Sequence, residues 1–307
     1  MLPRRLLLAA PLAACAAPAA PTTPGPQGAE GWEMREQLWR IPVPDGPRGT
    51  VLLEATLYRP PGPGPFPLAL VSHGQPGGGE AARRSLARPR YRLLSAELLA
   101  QGFAVLLPVR RGFGASGGEF AGSTGGCARM ALEANAEAGA ADIAACLAYA
   151  RAAMPMLEAG RVLLAGQSAG GFASLAAAGR PGLGAAGVLN FSGGLRAGRG
   201  GLFGGSHCAG WQERLVQAMA ALGGRPAARR VPTLWLYAVQ DSYFGHGLAP
   251  RLCAAWVGAG GRARYAEIAA PGRDGHGFVE DPEALGLWRG PVQEFLAGLR
   301  AGRQQPG

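Results

Sequence analysis

With 307 residues, 48% of them hydrophobic and 16% charged, the chain can bury a large core, which excludes a disordered, collagen-like or small disulfide-stapled class. No charge run or low-complexity linker divides it after residue 31, so the reading is one domain over 32–301, behind a leader at 1–14 and a Pro/Gly/Ala-rich tether at 15–31. The formal charge of +10 comes from 30 basic residues, all arginine, against 20 acidic ones. They are scattered singly or in pairs rather than gathered into a basic stripe, so no nucleic-acid partner is expected.

The chain opens with Arg4-Arg5 ahead of the apolar run Leu6 to Ala10. Such a run is too short to span a bilayer, which needs roughly 20 apolar residues, and it reads as an export signal. Leu12-Ala13-Ala14-Cys15 resembles the bacterial lipobox, which implies lipid attachment at Cys15 and a lipoprotein anchored in the outer membrane of a Gram-negative bacterium. The lipid would then be its one membrane contact. Ordinary cleavage within Ala16 to Ala20, leaving a periplasmic protein, is the alternative. Export places the other cysteines in an oxidising compartment. Cys146 and Cys253 fall on apolar helical faces and read as buried free thiols. Cys127 and Cys208 lie in Gly-rich loops, where a cross-link removes the most chain entropy, and are expected to pair.

The stretches 32–42 and 50–59 alternate as a leading antiparallel hairpin. Six short apolar runs follow, at 68–72, 103–107, 161–165, 185–189, 233–237 and 264–268, each suited to a strand buried on both faces. Helical stretches separate them, among them 83–100, 131–153, 170–178, 211–221 and 248–258. This alternation predicts an α/β fold: a mostly parallel twisted sheet of about eight strands with right-handed crossovers and helices on both faces.

Chemistry-bearing residues gather where these runs end. The first ends in His73-Gly74-Gln75-Pro76-Gly77, a loop placed to offer a backbone N–H to an oxyanion. Gln75 is the donor expected there, since Pro76 has no N–H, and His73 reads as a loop-fixing residue at the pocket. The next runs into Arg110-Arg-Gly-Phe113-Gly-Ala-Ser116, which is expected to border the pocket with Phe113. The run at 161–165 leads through Gly166-Gln-Ser168-Ala169-Gly170 into a helix. That is the G-x-S-x-G elbow in its strand-turn-helix setting, with Ser168 as nucleophile and Ala169 as second oxyanion donor.

A serine hydroxyl needs a base, and the base needs a carboxylate to orient it. Asp241 follows a core strand directly, and His276 lies in a Gly-rich loop after the last one. Tyr243 and His207 read as pocket residues. His246 and His207 are the competing bases. Asp274 is too close in sequence to orient the His276 ring and reads as a turn former. Ser192, Ser206 and Ser242 lack an elbow. No spacing matches a metal motif, and no cofactor-binding pattern is present, so neither is expected.

His73-Gly74, Arg111 to Ser116, Gly166 to Gly170, Asp241 and Gly275-His276-Gly277 together resemble the dienelactone-hydrolase-like branch of the α/β-hydrolase fold, close to prolyl-oligopeptidase-type catalytic domains. The likeness covers roughly 48 to 300. It implies a serine hydrolase acting on a small-molecule ester through Ser168, His276 and Asp241, with no cofactor. Oligomeric state is left open. Two departures stand out: Ser168 occupies the position where dienelactone hydrolases usually carry cysteine, and Val109-Arg110 replaces the acidic residue that relatives often have ahead of the R-G-x-G-x-S run. A peptidase or amidase on the same residues, or a non-catalytic envelope-anchored binding protein, are the alternatives.

Overall fold

The computed structural model describes residues 23–198, 207–245 and 247–304, with side chains to residue 301. The expected leader, Cys15, Ser206 and His246 lie outside the described residues. Among the described residues nine strands form one sheet: β1 (Gly25–Gln27), β2 (Gln37–Pro44), β3 (Thr50–Tyr58), β4 (Phe66–Ser72), β5 (Ala104–Pro108), β6 (Leu157–Gln167), β7 (Ala185–Phe191), β8 (Pro232–Ala238) and β9 (Arg262–Ile268). Their order is β1-β2-β3-β5-β4-β6-β7-β8-β9. The pairings β1·β2, β2·β3 and β3·β5 are antiparallel, and the rest are parallel.

The helices are α1 (Gly79–Arg84), α2 (Arg92–Ala100), α3 (Gly126–Arg129), α4 (Leu132–Ala153), α5 (Ala169–Ala178), α6 (Trp211–Gly223), α7 (Leu248–Gly258) and α8 (Leu285–Gln304). The two-residue period of the strands sorts their side chains between two cores. Leu68, Leu70, Val162 and Leu164 join the core under α4, α5, α6 and α7. The intervening Ala69, Val71, Leu163 and Ala165 join the one under α2 and α8. Both faces of the parallel strands are therefore apolar, which is why they read as unbroken hydrophobic runs.

Two expectations are corrected, and one helix arises where none was expected. Part of the segment expected as a tether is structured: Gly25 to Gln27 pair with Leu38 to Arg40 and add an edge strand, because the exposed edge of β2 offers free backbone groups that a short Pro/Gly stretch can satisfy. The helix expected over 83–100 is two helices, α1 and α2. Pro89 disfavours helical backbone at Arg88, and Tyr91 adopts a left-handed conformation with φ 42°. Finally, α8 carries no strong sequence signal, since Gly286, Gly290 and Pro291 interrupt it, yet Trp288, Val292 and Leu296 recur at four-residue spacing and are all buried.

Cys127 and Cys208 form a disulfide that closes a loop of 81 residues in sequence separation. Cys146 and Cys253 are free and buried; burial pushes the Cys146 thiol well above its ordinary range and that of Cys253 up to about 11, so both resist alkylation in the folded protein. Chain-entropy arithmetic for a loop of this length gives roughly 4.5 kcal/mol as the stabilisation. Reducing the bridge, or Cys127→Ser, is expected to lower the melting temperature by about 10 °C, measured by differential scanning calorimetry with and without reductant; a shift below about 2 °C would show that the loop is already ordered without it.

Candidate active site

The carboxyl ends of β4, β6, β8 and β9 lie on one edge of the sheet, and each carries a residue singled out from sequence. At the end of β6, Ser168 has φ 57° and ψ −126°, a region costing a non-glycine residue about 1–3 kcal/mol. Its neighbours hold it there. Its N–H donates to the Phe191 carbonyl at 3.0 Å, and its carbonyl accepts from Phe172 and Gly194, each at 3.1 Å. The elbow needs both glycines: a Cβ on Gly170 would overlap the Ser72 carbonyl, and one on Gly166 the Gly170 carbonyl. The turn sets Ser168 at the start of α5, where unpaired N–H groups and the helix dipole favour negative charge.

Asp241 follows β8 and is 1% exposed. The Nδ1–H of His276 donates to its two carboxylate oxygens at 3.0 and 3.1 Å, and the N–H groups of Tyr243 and Phe244 donate to Oδ1 at 2.8 and 3.0 Å. Burial by itself would raise the carboxyl pKa, but the hydrogen bond and charge of the imidazole, with the Phe244 N–H, outweigh it and hold the group below its usual range. Asp274 is the turn former expected. Its Oδ1 accepts from the N–H of His276 at 3.0 Å and of Ser242 at 3.1 Å, and its Oδ2 accepts from the Ser242 hydroxyl at 2.8 Å. It thus staples the histidine loop to the loop of the acid. Tyr243 stacks on the imidazole with ring centroids 4.2 Å apart, so the ring is held at its Nδ1 and on one face.

Ser168 and His276 line the same cavity of about 460 Å³. Among the described residues no hydrogen bond joins the Ser168 hydroxyl to the ring, a spacing common in resting sites, which tighten on the substrate. The N–H of Ala169 opens α5 without an intrahelical partner. Gln75 is positioned from its far end, where its Oε1 accepts from Asn135 Nδ2 at 3.0 Å.

His73 is the loop-fixing residue expected. It is buried, its Nδ1–H donates to the Gly74 carbonyl at 2.7 Å, and its Nε2 accepts from the Arg110 N–H at 3.0 Å. Burial, aided by the nearby Arg110 guanidinium, lowers its pKa to about 3, so it is a neutral structural brace.

Phe113 is the one expected pocket residue that the structure moves elsewhere. It is fully buried behind the wall, wedged between His73, at 5.1 Å between ring centroids, and Phe120 at 5.5 Å; Phe120 lines a second cavity, on the other side of Ser168. The loop carrying it turns back on itself, so its aromatic side chain points into the protein. The missing acidic residue ahead of this loop is compensated from other elements. The Arg111 N–H and Nε donate to Asp142 at 3.0 and 2.6 Å, and its Nη1 reaches Asp45 at 2.9 Å. Ser116 Oγ donates to the Val109 carbonyl at 2.7 Å.

Two residues without a sequence signal complete the site. The Tyr91 hydroxyl accepts from the Gly74 N–H at 3.1 Å and donates to Gln167 Oε1 at 3.2 Å, and Gln167 Nε2 donates to the His276 carbonyl at 3.1 Å. This relay ties the loop after β4, the elbow and the histidine loop together. A second cavity, of about 290 Å³, opens on the other side of Ser168 and is lined by Gln75, Arg83, Phe120, Arg196 and His207 among others. Tyr243 and Ser168 border both cavities.

The model of the X-Pro dipeptidyl-peptidase (S15 family) matches residues 45–231, more than half of the chain. The chain belongs to that family. The match contains the elbow and stops before β8, so Asp241 and His276 rest on the geometry above. No curated protein matches the sequence. Among solved structures, a putative dienelactone hydrolase from Klebsiella pneumoniae superposes with a TM-score of 0.54 at 17% identity, over 86% of this chain and 98% of that one. Est1E from Butyrivibrio proteoclasticus, solved with ferulic acid bound, gives 0.57 at 17% identity over 85% and 99%. The dipeptidyl peptidase 4 of Porphyromonas gingivalis gives 0.51 at 17% identity over 76% of this chain and 31% of that one. These likenesses show the α/β-hydrolase fold, and the resemblance read from the sequence agrees with them: the protein is a hydrolase of this fold.

Proposed function

We propose that the protein is an exported serine hydrolase that cleaves a carboxylic ester through Ser168, His276 and Asp241. The observation that carries this reading is the hydrogen bond from the His276 ring to a buried carboxylate, on the wall of the cavity into which the strained elbow lifts Ser168. With Nδ1–H committed to Asp241, Nε2 is the free lone pair, able to take the Ser168 proton as Oγ attacks the ester carbonyl. The N–H groups of Gln75 and Ala169 receive the oxyanion. The imidazolium, steadied by Asp241, then protonates the departing alkoxide, and water repeats the sequence on the acyl-enzyme.

A biotinylated fluorophosphonate is expected to label the wild-type protein at Ser168, identified by peptide mass spectrometry. Failure to label at that residue sinks the reading and favours a binding protein on this fold. Export is supported by the basic-then-apolar leader and by the Cys127–Cys208 bridge.

The family match favours a second reading, a peptidase on the same residues. A dipeptidyl peptidase must grip a free amine, yet among the described residues no carboxylate lines the smaller cavity. The Glu280 carboxylate at the larger one already accepts the N–H groups of Leu93 and Leu94 at 3.4 and 3.2 Å. Ester turnover is therefore expected to exceed hydrolysis of alanyl-proline p-nitroanilide by at least roughly a hundredfold in kcat/KM; the reverse ranking would make it a peptidase.

A further inference from the structure

The smaller cavity beside Ser168 holds two guanidinium groups that no carboxylate neutralises among the described residues. Arg83 and Arg196 line it together with Gln75, Phe120, His207 and Tyr243, and among the described residues no aspartate or glutamate does. Neither arginine is in a salt bridge among the described residues, whereas Arg35, Arg59, Arg88, Arg90 and Arg111 all meet carboxylates. Each lies on an aromatic face instead: Arg83 is 4.1 Å over the Phe120 ring, and Arg196 is 4.1 Å over the Tyr243 ring with its Nη1 donating to the Ser242 carbonyl at 3.4 Å. Stacking fixes the plane of a guanidinium and leaves its N–H edge for an acceptor. Two like charges facing one cavity without a counter-ion repel, and a ligand anion between them relieves that repulsion.

The side of the site decides which part of the substrate is charged. His276 must reach the leaving oxygen, and it lines the larger cavity, with Leu86, Ala87, Pro89 and Val279. The alcohol half belongs there. Ser168 and Gln75 border both cavities, and the smaller one lacks His276, so the acyl half, which the imidazole need not reach, belongs in the smaller one. Resting on the ester-hydrolase reading above, we infer that the acyl group carries a carboxylate and that Arg83 and Arg196 clamp it: the substrate is a monoester of a short dicarboxylic acid.

The test compares p-nitrophenyl hydrogen adipate with p-nitrophenyl hexanoate, two esters of similar length and the same leaving group that differ in the terminal charge. For the wild type, kcat/KM is expected to be at least roughly tenfold higher for the adipate, carried mainly by KM, and the ratio is expected to fall as sodium chloride is raised. Arg83→Gln and Arg196→Gln are each expected to lower that ratio by about tenfold, with Arg83→Lys and Arg196→Lys retaining part of it. Because the ratio is read within one variant, loss of active protein or a disturbed Tyr243 stack cancels. Hydrolysis of both esters with a ratio near one or below, or a ratio that neither substitution changes, overturns the carboxylate clamp and leaves the ester-hydrolase reading standing. Absence of turnover together with absence of fluorophosphonate labelling at Ser168 overturns both.

Discussion

Ser168→Ala is expected to lower kcat on p-nitrophenyl butyrate by roughly 10⁴- to 10⁶-fold, with KM little changed. The size follows from what the hydroxyl does in the proposed reaction. Without it no acyl-enzyme forms, and only substrate binding and the two N–H donors remain to assist attack by water. The substitution should leave the fold intact. Alanine meets the same positive φ of 57° that serine already tolerates, and the backbone hydrogen bonds from Ser168 to Phe191 and from Phe172 and Gly194 to Ser168 do not involve the side chain. Thermal melting within about 2 °C of the wild type would show that the lost rate is chemical. A variant that keeps more than a tenth of the wild-type kcat would transfer the nucleophile's role to another group.

Asp241→Asn is expected to reduce kcat by about 10⁴-fold, the scale known for this change in the Ser-His-Asp template. A carboxylate accepts the Nδ1–H of His276 and stabilises the imidazolium by charge; an amide cannot supply the charge, and its NH₂ group can donate to Nδ1 and hold the ring in the tautomer that leaves Nε2 protonated. Stopped-flow measurement of acylation checks this, and a loss smaller than tenfold would assign the orientation of the ring to Tyr243 and the loop instead.

The pH dependence of stability has a definite sign. The folded-state pKa of Asp241 is depressed, so its contribution is present above the unfolded value near 3.9 and is lost as pH falls below that through the folded value. Acid unfolding is thus expected to steepen below about pH 4 in the wild type and less so in the asparagine variant.

The elements that the sequence made legible are those whose side-chain pattern is itself the cause of the structure. Runs such as Leu68 to Val71 and Val162 to Ala165 are unbroken because both faces of a parallel strand meet helices, so the run announces the strand and its place in the sheet. Gly166 and Gly170 announce the elbow because no other residue fits their contacts. Asp241 and His276 stood out because each follows a core strand, and strand ends on one sheet edge share a neighbourhood. Cys127 and Cys208 were distinguished by loop context from Cys146 and Cys253 on helical faces, and the disulfide joins that pair.

What sequence could not specify depends on groups that meet only after the chain has closed. Sequence placed Phe113 at the pocket, but which aromatic faces the smaller cavity is set by the path of one loop packed against His73, and that path presents Phe120. The Tyr91 hydroxyl bridges Gly74 and Gln167, 17 and 76 positions away, from a backbone conformation that its own identity disfavours. Arg83 and Arg196 looked like two more members of a scattered arginine population. Composition and local pattern determined the fold, the elbow and the meeting of Asp241 with His276, since those follow from short-range sterics and strand polarity. Only the tertiary structure decided which charges are neutralised and which face the cavity, since an arginine's partner is chosen by long-range packing rather than by its neighbours in the chain.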